Sequence, residues 1–123
     1  MKKVYVAGKY SADNVIEVLQ NIGKGKVACA ELFHDGLYPF CPWHDASYAE
    51  EACYAKIDKS LFYMASLAWL EVSDAVYVIS GRGDGTGVDK EVEHAENLGI
   101  PVFDDIFDLY TWAGITTPEM NES

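Results

Sequence analysis

Cationic residues are scarce in this sequence: nine Lys and Arg stand against twenty Asp and Glu, for a formal net charge of −11. Such a chain repels a nucleic-acid backbone unless its few cations gather on one face, which excludes DNA or RNA polymers as expected partners. Long apolar runs are missing as well. None approaches the roughly 18 residues needed to span a bilayer, and only five residues separate Lys3 from Lys9, too few for the apolar stretch of a secretory signal. The expectation is a soluble, cytoplasmic protein with no membrane partner. Cysteine is limited to Cys29, Cys41 and Cys53, an odd set twelve apart with no CxxC pair and no His at metal-ligand spacing. Neither a disulfide framework nor a zinc site is implied, and reduced, mostly buried thiols are expected. A Walker A loop is also lacking, because Gly23-Lys24-Gly25-Lys26 sits inside a helical pattern without the required following Ser or Thr. No metal and no cofactor are expected.

What remains is a chain of 123 residues, half of them hydrophobic and 13% aromatic, enough for one compact core and too short for two ordinary domains. Residues 1–114 are read as one α/β domain, and the polar stretch 115–123 as a flexible tail. Val4-Tyr5-Val6-Ala7 is a β-prone run ending at Gly8. Val15, Leu19, Ile22, Cys29 and Phe33 recur near helical spacing up to the stop signal His34-Asp35-Gly36, and Gly25 on that stripe permits close packing against a sheet. Leu37 to Cys41 reads as a second strand and Pro42-Trp43-His44-Asp45 as a loop. Ile57, Leu61, Met64, Ala68 and Val72 form the expected buried stripe of a long helix, widened by Phe62, Ala65 and Trp69. Ala75 to Ile79 is a continuous apolar run of the kind found in a central parallel strand. A helix over about Val88 to Leu98, a strand over Ile100 to Phe103 and a helix near Asp105 to Trp112 complete the pattern. Alternating strands and helices predict a three-layer sandwich: a mostly parallel, four- or five-stranded sheet of Rossmann-like or flavodoxin-like type. Ligands bind such sheets at the carboxyl ends of the strands, where the loops after Ala7 and after Ile79 are both expected.

Glu91 is the sharpest feature, because helical spacing sets it on the side of Val88 and Ala95. An acid near a helix start can simply complement the helix dipole, but Asp89 is better placed for that, and Thr86 to Asp89 fits a capping box. A carboxylate facing the sheet edge suits attack on the anomeric carbon of a bound sugar. The loop Gly81-Arg82-Gly83-Asp84-Gly85-Thr86-Gly87 reads either as a flexible connector or as a backbone cradle for phosphate at a helix start. A weak dinucleotide fingerprint also exists, with Asp104 and Asp105 about twenty residues beyond these glycines. His34 and His44, near turns, are read as solvated or hydrogen-bonded, and His94 as a surface residue.

These segments resemble the nucleoside 2-deoxyribosyltransferase superfamily, especially its small phage and bacterial members and the deoxynucleoside monophosphate N-glycosidases. Val4 to Ser11 is similar to the family's opening strand and glycine loop, Trp69 to Val78 to its helix end, Asp and central strand, and Gly87 to Ala95 to its glycine, nucleophilic glutamate and small residue. The resemblance implies Glu91 as nucleophile, Tyr5 as the residue orienting it, and Gly8, Lys9, Tyr10, Ser11, Gly81, Arg82, Gly85, Thr86 and Gly87 around sugar and phosphate. It implies a small-molecule nucleoside or nucleotide as partner, N-glycosidic cleavage or base exchange as the reaction, and a homo-oligomer as the assembly. Asp74 is expected to be structural. Ser66 stands where the family's glycosidases carry an active-site aspartate, and Gly85 where the monophosphate hydrolases carry a phosphate-contacting serine. A non-catalytic module that sequesters or senses a nucleotide is the alternative reading.

Overall fold

The computed structural model describes residues 1–45, 48, 58–83 and 87–118. Strands β1 (Lys3–Ala7), β2 (Tyr38–Phe40), β3 (Ala75–Val78) and β4 (Val102–Phe103) form one sheet in the order β2-β1-β3-β4, every pairing parallel. Helices α1 (Val15–His34), α2 (Lys59–Glu71), α3 (Gly87–Asn97) and α4 (Ile106–Ala113) connect and follow them, and a short 3-10 turn spans Pro42–Asp45. This is the predicted α/β sandwich with a four-stranded sheet, in the flavodoxin-type strand order.

Alternation along the strands divides the core. Val4, Val6 and Ala75 face α1 and α4, in a cluster with Cys29, Leu32 and Leu109. Tyr5, Ala7, Val76 and Val78 face the opposite way, against Leu70 of α2 and Val88, Val92 and Ala95 of α3. Both sheet faces are covered, which is why β3, and β1 after Lys3, read as continuous buried runs rather than alternating. Asp74 fixes the entry to β3 by accepting a hydrogen bond from the backbone N–H of Lys3 at 2.7 Å, the structural role expected of it.

The expected stripe of α1 faces inward only in part, and α2 turns a different face inward from the one the periodicity suggested. In α1 Gly25 and Cys29 of that stripe are buried together with Leu32 and Ile22 packs on the core, whereas Val15, Leu19 and Phe33 are exposed. The cause is Trp43. Its indole is 1% exposed and lies against Gly25, where any Cβ would fall onto the ring. Gly25 therefore admits a tryptophan from the 3-10 turn rather than the sheet itself. In α2, Leu61, Met64, Trp69 and Val72 are exposed, and the inward residues are Ser66 and Leu70. Ile57 lies outside the described residues.

Beyond α4, Ile115 donates its N–H to the Tyr110 carbonyl at 2.9 Å and packs on the α1-side core. The remainder of the expected tail, 119–123, lies outside the described residues.

Candidate active site

In the order β2-β1-β3-β4 the chain turns in opposite directions on leaving β1 and β3, and the loops at their carboxyl ends open the crevice where such sheets take ligands. The two loops do meet. The Ile79 N–H donates to the Ala7 carbonyl at 2.8 Å, and the Lys9 N–H donates to the Ser80 hydroxyl at 3.0 Å. Gly8 is required here by space, since a Cβ would stand 2.6 Å from Ile79 Cγ1 and 2.8 Å from Trp43 Cζ2. Gly81 adopts φ +80°, with the Lys9 backbone and Val88 close by. The Trp43 indole N–H donates to the Lys9 carbonyl at 3.3 Å, holding the first loop from below.

Beneath these loops lie Tyr5 and Glu91. Helix α3 buries Val88, Val92 and Ala95, a spacing that turns Glu91 toward the sheet on the same side. Tyr5 is fully buried. Its hydroxyl lies within hydrogen-bonding reach of Glu91 and Ser66 without closing a well-formed bond to either, so a buried polar group remains available. Burial pushes the Glu91 carboxyl up to about 7, while the Tyr5 hydroxyl acts in the opposite direction. Burial first, and then the charge of Glu91, raise the Tyr5 phenol far above its ordinary range, so Tyr5 acts as a neutral donor. Asp45 at the end of the 3-10 turn adds negative potential at Tyr5, and its own carboxyl is raised by burial.

The raised Glu91 carboxyl has a thermodynamic consequence. Between an ordinary value of 4.5 and the folded value of about 7, the folded chain holds a proton that the unfolded chain has released. The contribution is therefore full below about pH 4.5 and is lost as pH rises through about 7, at a cost of roughly 3 kcal/mol. Glu91→Gln is expected to melt higher than the unsubstituted chain at pH 8, by roughly 10 °C, with the difference closing below pH 5. Parallel melting curves at both pH values would contradict the burial of this charge.

The other residues expected at the site are distributed around it. Lys9 and Ser11 are exposed at the loop, and Tyr10 packs on the α1-side core with its carbonyl accepting from Asn21 Nδ2 at 3.2 Å. Arg82 turns away toward Asp104, with Glu96 3.8 Å from its second nitrogen. Asp105 caps α4 by accepting from the Phe107 N–H at 2.7 Å. Both acids of the dinucleotide pattern are thus engaged within the protein. Gly87 opens α3, and Asp89 accepts from the Gly83 N–H at 2.8 Å; Gly85 and Thr86 lie outside the described residues. Asp58 caps α2 through the Ser60 N–H at 2.9 Å. His34 is exposed and paired with Asp35 at 3.1 Å, and His94 is half-buried rather than fully on the surface, 3.0 Å from Glu71 of α2. Among the described residues no three His, Cys, Asp or Glu side chains converge as a metal ion would need, and no helix is long and apolar enough to cross a membrane.

Three participants escaped the sequence reading. Ser80 had a usable signal, a polar residue directly after the central strand. Asp45 had none, because only the 3-10 turn brings it toward Tyr5. Phe40 bridges Tyr5 and Trp69 in a stack with ring centroids 5.6 and 5.2 Å apart, a contact set by strand register. The large cleft of about 800 Å³ between α1 and α4, lined in part by Glu31, Asp35 and Tyr110, lies on the other face of the sheet from Glu91 and is not this site.

No protein-family profile and no curated protein matches the chain. Its backbone is similar to the solved structure of a 2-deoxyribosyltransferase from the psychrotolerant bacterium Bacillus psychrosaccharolyticus, with a TM-score of 0.57 and 22% sequence identity. The likeness covers 81% of this chain and 69% of that one. The fold is therefore of the nucleoside 2-deoxyribosyltransferase type.

Proposed function

We propose that this protein cleaves, or exchanges the base of, the N-glycosidic bond of a small nucleoside or nucleotide, with Glu91 as nucleophile. The observation that carries the reading is a desolvated carboxylate facing a fully buried tyrosine hydroxyl beneath two loops that meet at the strand ends. The fold supports it, since the similar solved structure is a 2-deoxyribosyltransferase. A Glu91 oxygen attacks the anomeric carbon, the carbon–nitrogen bond breaks, and the base leaves with the electron pair and takes up a proton. The resulting glycosyl ester is released by water or by a second base. Tyr5 orients the carboxylate by donating to it. Gly8, Gly81 and the start of α3 offer backbone N–H groups to sugar or phosphate, with Lys9 and Ser11 exposed at the loop beside them.

The test is incubation of the purified chain with a panel of nucleosides and nucleotides, with and without an acceptor base, followed by chromatography of free base and remaining substrate. Base release without acceptor marks hydrolysis, and a new nucleoside with acceptor marks transfer. Every substrate recovered intact, including any retained by the protein, would overturn the reading in favour of a sequestering module.

We also propose that copies of this chain associate through the outer face of α2. Leu61, Met64, Trp69 and Val72 are 54–62% exposed there, more large apolar surface than one helix of a monomer ordinarily leaves in water. Light scattering is expected to give a multiple of 13.6 kDa, reverting to the single mass in Met64→Lys. A single mass for the unsubstituted chain would refute the assembly.

A further inference from the structure

Two cysteines lie away from Glu91 and take no part in the proposed reaction. Cys29 faces inward from α1, and Cys41 directly follows edge strand β2. Both are buried, in one packed cluster, near enough for each thiol to bias the ionisation of the other. On their open side they line a cavity of about 440 Å³ together with Lys26, Phe40 and His44. A small molecule can therefore approach two neighbouring cysteines from one cavity.

The surroundings make the two sulfurs unequal. Because the 3-10 turn begins immediately after Cys41, with the His44 N–H donating to the Cys41 carbonyl at 3.1 Å, the backbone N–H groups of Trp43 and His44 lie near its sulfur, and Lys26 adds positive potential. These groups favour negative charge on Cys41. Cys29, beside Cys41 and buried, is held in the thiol form. A thiolate that attacks, next to a thiol that resolves, is the arrangement thiol–disulfide exchange requires.

We propose that Cys29 and Cys41 are a redox modification site that reacts with low-molecular-weight disulfides and closes to an internal disulfide linking α1 to the end of β2. The Cys41 thiolate attacks one sulfur of the small disulfide, whose S–S bond breaks and releases one thiolate, leaving a mixed disulfide on Cys41. Cys29 then gives up its proton and attacks the Cys41 sulfur, expelling the second small thiolate. Two protein thiols are oxidised by two electrons, one small disulfide is reduced to two thiols, and the protons lost by the protein are carried by the products. The new bond also fixes the turn bearing Trp43, the residue that holds the Lys9 carbonyl.

The test reads thiol chemistry and is independent of the glycosidic reaction. The full chain is incubated with glutathione disulfide, digested without reductant and mapped by mass spectrometry. The Cys29 and Cys41 peptides are expected to be joined, with the loss of two hydrogens and no glutathione retained on Cys41. In Cys29→Ser, one glutathione is expected to stay trapped on Cys41, because the resolving thiol is gone. Glutathione retained on Cys41 in the unsubstituted chain, a bond from either residue to Cys53, or both thiols still reduced after prolonged exposure would each overturn the proposal.

Discussion

Glu91→Gln is expected to lower base release by about a thousandfold or more, equivalent to at least ~4 kcal/mol of lost transition-state stabilisation. The amide keeps the size and shape of the carboxylate but supplies no anionic oxygen to bond the anomeric carbon, so the loss falls on turnover rather than on substrate affinity. The same substitution removes a charge that burial disfavours, so the variant should be more stable than its parent at neutral pH while inactive. Loss of function with a gain in stability separates a nucleophile from a residue that merely supports the fold. Turnover within a few-fold of the parent in a correctly folded variant would remove Glu91 from the reaction.

The second large effect concerns a glycine on the other side of the sheet. Alanine in place of a mid-helix glycine ordinarily stabilises by about 0.5–1 kcal/mol, and Gly23→Ala should do so, because its Cβ would meet nothing within 4 Å. Gly25→Ala, two residues later in the same helix, should have the opposite sign. Its Cβ would fall onto Trp43, a ring pressed from its far edge by Gly8 and therefore without room to retreat. Overpacking of a rigid, fully buried side chain costs about 1–3 kcal/mol and occasionally more, and a net loss of about 2 kcal/mol or more is expected in denaturant unfolding. Equal midpoints for the two variants would show that the indole can shift aside.

The strands, the parallel order of the sheet and the inward setting of Glu91 were legible because each follows from local periodicity: a continuous apolar run in β1 and β3, and a three-residue offset between Val88 and Glu91. The meeting of the two glycine loops followed from parallel topology alone. The inward face of α1 was legible at Ile22, Gly25 and Cys29 but not at its ends, and that of α2 was not legible. In α1 the large residues of the pattern, Val15, Leu19 and Phe33, stay outside, while the interior selects the small Gly25 to accommodate Trp43. In α2 the buried row passes through Ser66, whose polarity breaks the apolar stripe where the helix faces Tyr5. A break in local consistency at a site of chemistry is the expected place for such reasoning to fail. Phe40 and Asp45 depended on register and on a 3-10 turn, neither of which is written in side-chain spacing.

The indole of Trp43 is bounded on two sides by residues that have no side chain, Gly25 of α1 and Gly8 of the first loop. Positions 8, 25 and 43 therefore behave as a single unit of sequence variation. A smaller residue at 43 would free the two glycines to acquire side chains, and a side chain at either glycine would be compatible only with a smaller residue at 43. Any redesign of the Lys9 loop must treat the three together, although they are distant along the chain and only one of them borders the candidate site.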